Sequence, residues 1–246
     1  MTEEERLFKK LNERFVRAFA TYNLLEDDDH VLVGLSGGKD SLCLLELLAR
    51  RSRIEHPCFS VEALHVRMEN ISYETSTDYL QQFCDALGVP LHIRTTSFEE
   101  DHTNSQLKPK PPCFLCSWNR RKQLFNLAQE LGCNKIALGH HQDDIIHTTL
   151  MNLTFQGRFG TMPARLKMRK MPLTIIRPLC MIEETDIIRY AQLRGYQQQA
   201  KHCPYERDTH RTSVQQLFTD MQQLNPEARF SVWKALNSAG KLVEEY

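Results

Sequence analysis

The chain has 246 residues, a quarter of them charged, and its 31 basic side chains are balanced by 31 acidic ones, so its formal net charge is zero. That length suits one large α/β domain, or one domain with a small appendage, and the neutrality rules out a globally basic nucleic-acid coat. No apolar run reaches membrane-spanning length and no N-terminal segment resembles a signal peptide, so a cytoplasmic protein with no membrane attachment is expected.

Residues 1–22 place Leu7, Leu11, Phe15, Phe19 and Tyr22 near helical spacing, which predicts an amphipathic N-terminal helix within residues 1–24. Val31 to Leu35 is an apolar run short enough to be a buried strand. From Ser41 onward, Leu and Cys are dense enough for a largely buried helix. Between them lies Ser36-Gly37-Gly38-Lys39-Asp40-Ser41. Two glycines let the backbone approach an anion, the turn aims successive N–H groups at one point, and the new helix adds the positive end of its dipole. A strand, a Gly-rich turn with Ser and Lys, and a helix N-terminus make a phosphate site. The Walker pattern is excluded, because Asp40 intervenes between Lys39 and Ser41.

Strand-like runs begin at Val31, Val61, Leu91 and Lys135, the first three about thirty residues apart. This is the rhythm of βαβ units, and it predicts an α/β fold with a doubly wound, mostly parallel sheet over residues 25–200. Residues 75–87 read as one of its helices, closed by Gly88-Val89-Pro90. Before the fourth strand the rhythm stretches to admit an insertion around residues 97–116. It ends in Lys108-Pro109-Lys110-Pro111-Pro112-Cys113-Phe114-Leu115-Cys116, read as a proline-rich loop, with a helix over residues 117–131 after it. Ligands in such sheets sit beyond the carboxyl ends of the strands. Three signals fall there: the phosphate loop, His65 at the end of the second strand, and Gly139-His140-His141-Gln142-Asp143-Asp144 after the fourth. Further on, a strand over 174–176, a helix over 183–194 and a helical C-terminal extension over 201–246, with helices at 214–224 and 226–246, are expected.

In a reducing compartment the eight cysteines read as core residues, metal ligands or reactive thiols. Cys43, Cys58, Cys84, Cys133 and Cys180 flank or lie in regular elements and read as small core residues. Cys113 and Cys116 are spaced to bind one metal centre, and Cys203 is the further candidate. Three thiolates suit a [4Fe–4S] cluster with one open iron, while His202 could complete a Cys₃His zinc site, so both metals stay open on the residues alone.

The phosphate loop, the Cys-x-x-Cys after a proline-rich insertion, Gly139-His140-His141-x-Asp143-Asp144 and Arg177-Pro178-Leu179 occur in that order. Together they resemble the tRNA 2-thiocytidine synthetase family of the N-type ATP pyrophosphatase (PP-loop) superfamily, whose fold is adenine nucleotide alpha hydrolase-like. The resemblance runs from about Leu24 to about Cys203. Zinc fingers of the uridine-thiolating branch are missing from the sequence, and Cys113 with Cys116 disfavours a lysidine synthetase. The resemblance implies ATP-dependent, iron–sulfur-dependent thiolation of an anticodon-loop cytidine. It implies a [4Fe–4S] cluster on Cys113, Cys116 and Cys203, a sulfur donor such as a cysteine desulfurase, and tRNA as partner, with a homodimer an open reading.

On that reading Ser36, Gly37, Gly38 and Ser41 hold phosphate oxygens and Lys39 offsets their charge. Asp40 is the expected Mg²⁺ contact, and Asp143 and Asp144 are further candidates whose alternative role is helix N-capping. Gly139 belongs to the same nucleotide-binding set. His65 marks where the strand meets adenine, against an ordinary strand-end histidine. Sulfur arrives as cluster-bound sulfide or as a cysteine persulfide. Arg120-Arg121-Lys122 and Arg165-x-Lys167-x-Arg169-Lys170 are the local cation runs for RNA, against plain solvated surface. Trp118, Phe155 and Phe159 read first as core, with base stacking as the functional alternative. Competing functions are ATP-dependent sulfur or amide transfer to a small molecule or another tRNA nucleoside, and nucleotide binding without catalysis. Lys39, Asp40, Asp143 and Asp144 count against the last.

Overall fold

The computed structural model describes residues 1–69, 71–73, 76–98, 111–198, 201–202 and 210–245. In chain order its first elements are α1 (Glu3–Tyr22), β1 (Asp29–Gly34), α2 (Lys39–Arg51), β2 (Phe59–Met68), β3 (Ser72–Tyr73), α3 (Asp78–Leu87) and β4 (Leu91–Thr96). Next come α4 (Pro112–Glu130), β5 (Lys135–Ala137), α5 (Gln142–Gln156), β6 (Arg165–Lys167), β7 (Thr174–Ile176) and α6 (Glu184–Leu193). The last are β8 (Lys201–His202), α7 (His210–Leu224), α8 (Ala228–Ser238) and β9 (Val243–Glu245). This is an α/β fold with mostly parallel strand pairing, as expected. The chain divides into two compact units: Asp27–Ile136 with Tyr196–Arg207, and Met1–Glu26 with Ala137–Gly195 and Asp208–Tyr246.

In the unit that contains the phosphate loop, β1 pairs in parallel with β2 from Asp29↔Phe59 to Gly34↔Leu64, and β2 pairs in parallel with β4 from Ala63↔Leu91. Helix α2 buries Leu42, Cys43, Leu44, Leu45, Leu47, Leu48 and Ala49, the all-round burial of a helix laid on a sheet. Its one buried acid, Glu46, is bonded by Arg50 Nη2 at 2.6 Å and by the Tyr196 hydroxyl at 2.5 Å, the pairing that makes a buried carboxylate tolerable.

In the other unit, α1 starts from a capping box in which Thr2 and Glu5 bond each other's backbone, and Glu3 to Glu5 match the dipole of the first turn. It packs on α6, burying Leu11, Phe15, Ala18 and Phe19. Ion pairs rim that contact, with Lys10 Nζ 2.7 Å from Asp186 and Arg14 Nη1 2.9 Å from Glu183. Strand β6 pairs antiparallel with β7 and parallel with β9. Ile146, Leu150, Val214 and Phe218 bring α5 and α7 together in a second core.

Four expectations need correction. The Cys-x-x-Cys is not in a loop: α4 begins at Pro112, because proline at a first helical position has no N–H to lose. The C-terminal helix stops at Ser238, where Gly240 turns left-handed at φ 63° and frees 243–245 to pair with β6. Cys58 is exposed rather than core, because it precedes β2 with its N–H 2.6 Å from Asp27 Oδ1. Trp118, Phe155 and Phe159 are likewise exposed, at 49%, 56% and 37%.

Burial and charge make different contributions where α1 meets α6. Leu11 is fully buried, so Leu11→Ala should cost about 2–5 kcal/mol. Lys10→Ala removes a half-exposed pair and should cost no more than about 1 kcal/mol. Urea unfolding of the two variants measures both, and equal losses would contradict this ranking.

Candidate functional site

Strand β1 hands the chain to the phosphate loop through Leu35, whose N–H donates to Leu64 O at 2.8 Å. Gly37 takes φ 83°, a conformation that favours glycine, and α2 then starts at Lys39 with Gly38 as N-cap and no side chain capping it. The serines close the turn from within. Ser41 Oγ donates to Gly38 O at 2.9 Å, so in the 3.1 Å pair of hydroxyls the proton comes from Ser36. Ser36 Oγ in turn accepts from Gly38 N at 3.3 Å. Both hydroxyls thus hold the backbone of the turn in shape, and the amides of the loop and first turn are the other donors it presents. Lys39 Nζ lies 3.2 Å from Asp40 Oδ2, one cation and one anion on the rim of the same turn.

His65, one strand away, is 2% exposed, and its Nδ1 donates to the Leu35 carbonyl at 2.7 Å. Its Nε2 is buried with no hydrogen-bond partner among the described residues. Burial pushes its pKa down, as do the charges of Arg120 and Arg67, and the Leu35 bond only partly opposes this. The ring is therefore neutral, with Nδ1 as donor and Nε2 as acceptor. It buttresses the start of the loop.

Arg120 belongs to α4, the helix that begins with Cys113 and Cys116. Cys113 is exposed, whereas Cys116 is half-buried with Leu115 against Met68, Ile71 and Phe98 at the carboxyl ends of β2 and β4. The i, i+3 spacing puts both thiols on neighbouring positions of one turn. Four other cysteines are buried in the core. Burial raises the thiols of Cys43 and Cys180 strongly, that of Cys84 to about 12 and that of Cys133 to about 11, which keeps them protonated. Cys203 lies outside the described residues. Its chain neighbour His202 pairs with Ser72, next to Ile71 of the patch under Cys116.

The motif Gly139 to Asp144 lies in the other unit, running from the end of the β5–α5 connection into the first turn of α5. Asp144 caps α5, its Oδ2 accepting from His141 N at 3.1 Å while Asp144 N donates back to His141 Nδ1 at 3.4 Å. Its other oxygen meets Arg211 of α7. Asp143 accepts from Arg229 Nη2 of α8 at 2.6 Å and from Glu184 N at 2.8 Å. Burial would raise the Asp143 carboxyl, but these bonds outweigh it and hold the group below its usual range. Arg229 also lies 5.2 Å from the centre of the Phe218 ring. Arg177 is nearly buried, donating to His140 Nδ1 at 3.3 Å and to Pro163 O at 2.5 Å. Desolvation, with the Arg177 charge, pushes His140 down to about 4. Sequence reasoning missed Arg211 and Arg229 as partners of the two acids. The available signal was a pair of aspartates on an apolar helix, which must find cations when buried.

A parallel sheet with a glycine loop at a strand's carboxyl end, feeding a helix N-terminus, defines the class of PP-loop ATP-using proteins, and the family model described as "PP-loop domain" matches residues 5–219. A tRNA-cytidine(32) 2-sulfurtransferase of Bordetella avium (strain 197N) is 35% identical over 236 residues, covering 96% of this chain and 74% of that protein. One of Pelobacter propionicus is 34% identical, covering 94% and 86%. The chain belongs to the tRNA-cytidine(32) 2-sulfurtransferase family, within the PP-loop class. Its fold is also that of the U34-tRNA thiolase NcsA from Methanococcus maripaludis, solved with a [4Fe-4S] cluster, at TM-score 0.75 and 24% identity over 98% of this chain and 81% of that one.

Two outcomes follow from the site's geometry. Gly37→Ala places a Cβ at φ 83°, a strain of about 1–2 kcal/mol that should weaken ATP binding roughly tenfold. Gly38→Ala should be milder, since its Cβ would meet only Ser36 Oγ at 3.5 Å. Calorimetric titration with ATP compares them, and the reverse order would contradict the loop geometry. The second outcome concerns acid. His65, His140 and His147 are all held below the ordinary value of 6.5, each chiefly by burial. The unfolded chain therefore takes up protons first, so this stability is complete above about pH 6.5 and drains away as pH falls through the gap, for His140 down to about 4. Urea midpoints should decline from pH 7 to pH 5 (roughly one proton per such histidine), and His140→Asn should flatten the decline.

Proposed function

We propose that this chain transfers sulfur to C2 of an anticodon-loop cytidine in tRNA, position 32 as in its relatives, after activating the base with ATP. One observation carries the reading. In a single unit the phosphate loop and the Cys-x-x-Cys helix meet at the carboxyl ends of neighbouring strands, linked through His65, which bonds Leu35 and feels the charge of Arg120. ATP chemistry and sulfur chemistry then share one end of one sheet.

The cytosine oxygen is a poor leaving group. It attacks the α-phosphorus of ATP, the bond to the bridging oxygen breaks, and pyrophosphate leaves with that electron pair. The amides around Gly37 and Gly38 hold the departing phosphates, and Lys39 offsets their charge. Asp40 is the proposed contact for the magnesium that accompanies ATP. His65 keeps the loop in place and offers Nε2 as an acceptor for the adenine amino group. Sulfur then adds at C2, and AMP departs with the former base oxygen.

Two of the proposed donors suit a cluster: Cys113 and Cys116 lie on one helical turn, exposed and half-buried, while Cys43, Cys84, Cys133 and Cys180 are buried in the core. The third proposed donor, Cys203, lies outside the described residues. A [4Fe–4S] cluster on those three cysteines would supply an iron free of protein ligands at which sulfur can be carried. The proposed source of that sulfur is the persulfide of a cysteine desulfurase, reduced by two electrons from a thiol reductant so that it adds to the base at the sulfide level. No helix among the described residues is long and apolar enough to cross a membrane, and a cytoplasmic setting is proposed with the tRNA substrate. Asp143 and Asp144, being paired to arginines, are proposed to hold α5 and the C-terminal helices in place rather than to bind metal.

Anaerobically purified protein should contain iron and sulfide near four each per chain. Cys113→Ala, Cys116→Ala and Cys203→Ala should each lose both, while Cys58→Ala should not. Nucleoside mass spectrometry of tRNA from a deletion strain should show loss of 2-thiocytidine, restored by wild type and not by Lys39→Ala. One zinc per chain and no iron, or an unchanged thionucleoside profile, would overturn the proposal.

A further inference from the structure

The outer face of α4 carries an arrangement that the chemistry above does not use. The exposed residues of its first half are Cys113, Phe114, Ser117, Trp118, Arg121 and Lys122. They fall at spacings of one, four and five, which is one stripe along a helix. Phe114 is 42% and Trp118 49% exposed, a large aromatic area to leave in water. Lys122 Nζ stands 5.8 Å from the centre of the Trp118 ring. From one end of the stripe to the other the order is thiol, aromatic rings, cations.

We propose that this face is a stacking platform for unpaired bases of the RNA substrate, with Trp118 as its principal surface. The proposal rests on the tRNA-thiolation reading. Charge complementarity selects the occupant. The sequence of α4 holds no carboxylate before Glu130, and the exposed Arg121 and Lys122 follow Trp118 closely, so the stripe suits an aromatic polyanion. An indole face needs a base that is not already stacked in a duplex, which selects a single-stranded loop. Spacing supports the placement. Trp118 is five residues from Cys113, about 7.5 Å along the axis, or roughly two nucleotide steps of about 3.4 Å. A base on Trp118, its own phosphate toward Arg121 and Lys122, would therefore hold a nucleotide about two steps away beside the exposed cysteine. Trp118 is a positioning residue here, because it orients the loop and touches no reacting atom.

The chain has two tryptophans, and the other, Trp233, packs on the core of α5 and α7. In full-length Trp233→Phe protein the emission of Trp118 can thus be followed alone. An anticodon stem–loop RNA should quench it, and a fully paired duplex of equal length should not. Trp118→Ala should lower affinity for the stem–loop about tenfold and Trp118→Phe should recover most of it, with ATP affinity and iron content unchanged in both. Wild-type affinity for the RNA in Trp118→Ala, or equal loss in the Ala and Phe variants, would overturn the platform while leaving thiolation intact. If Trp118→Ala instead keeps its RNA affinity and loses binding to a cysteine desulfurase, the stripe is a protein-docking face and the proposal fails. Failure of the wild type itself to bind tRNA would overturn the thiolation reading and the platform together.

Discussion

The bond from His65 Nδ1 to the Leu35 carbonyl fixes more of this protein than its 2.7 Å suggests. Leu35 is the last residue before the phosphate loop, and its N–H is already committed to Leu64 of the neighbouring strand. With both backbone groups of Leu35 anchored to β2, the loop leaves the sheet in one direction only, and the N-terminus of α2 is aimed accordingly. A protonated imidazole could still donate from Nδ1, but burial beside Arg120 and Arg67 makes that form costly. Burial, with these two cations, therefore keeps the ring neutral and leaves Nε2 as an acceptor.

A second constraint governs the other unit. Two adjacent aspartates at the start of α5 favour the helix dipole, yet both are largely buried, and unpaired they would be strongly destabilising. Arg211 and Arg229, from α7 and α8, neutralise one each. The C-terminal helices are thus held by charge at one end of α5 and by apolar packing along it, through Ile146, Leu150, Val214 and Phe218. Capping and ion pairing account for both carboxylates in geometric terms. Sequence spacing alone suggested a catalytic acid pair with equal ease, because it shows the acids without the residues that fold against them.

Legibility followed the range of the interaction concerned. The loop, its strand and α2 could be read because their signals are contiguous: an apolar run, glycines, then Leu at every turn. The parallel order of β1, β2 and β4 followed from even spacing. Helix α4 was misjudged at its start, since Pro111 and Pro112 break a helix in its interior but open one at its first turn. Strands β6 and β9 hid behind charge, Arg165 and Glu245 pairing across them at 3.1 Å, where a run of cations had suggested open surface. The exposure of Trp118, Phe155 and Phe159 was illegible too, because an isolated aromatic looks the same in sequence whether it faces core or water.

Neutral net charge then becomes informative about how a polyanion would be met. A chain with equal numbers of acids and bases gives no long-range attraction, so binding must come from places where cations lack nearby carboxylates. Much of the basic surface fails that condition: Arg94 is tied to Glu130, Arg165 to Glu245, Arg189 to Glu3 and Arg194 to Glu4. Such pairs are neutral to an approaching phosphate and add little stability at the surface. On α4, whose sequence holds no acid before Glu130, Arg121 and Lys122 lie exposed next to two exposed rings and the exposed Cys113. Recognition by that face would depend on short-range stacking as well as counterion release. It would therefore fall less steeply with salt than binding by a uniformly basic surface making many phosphate contacts.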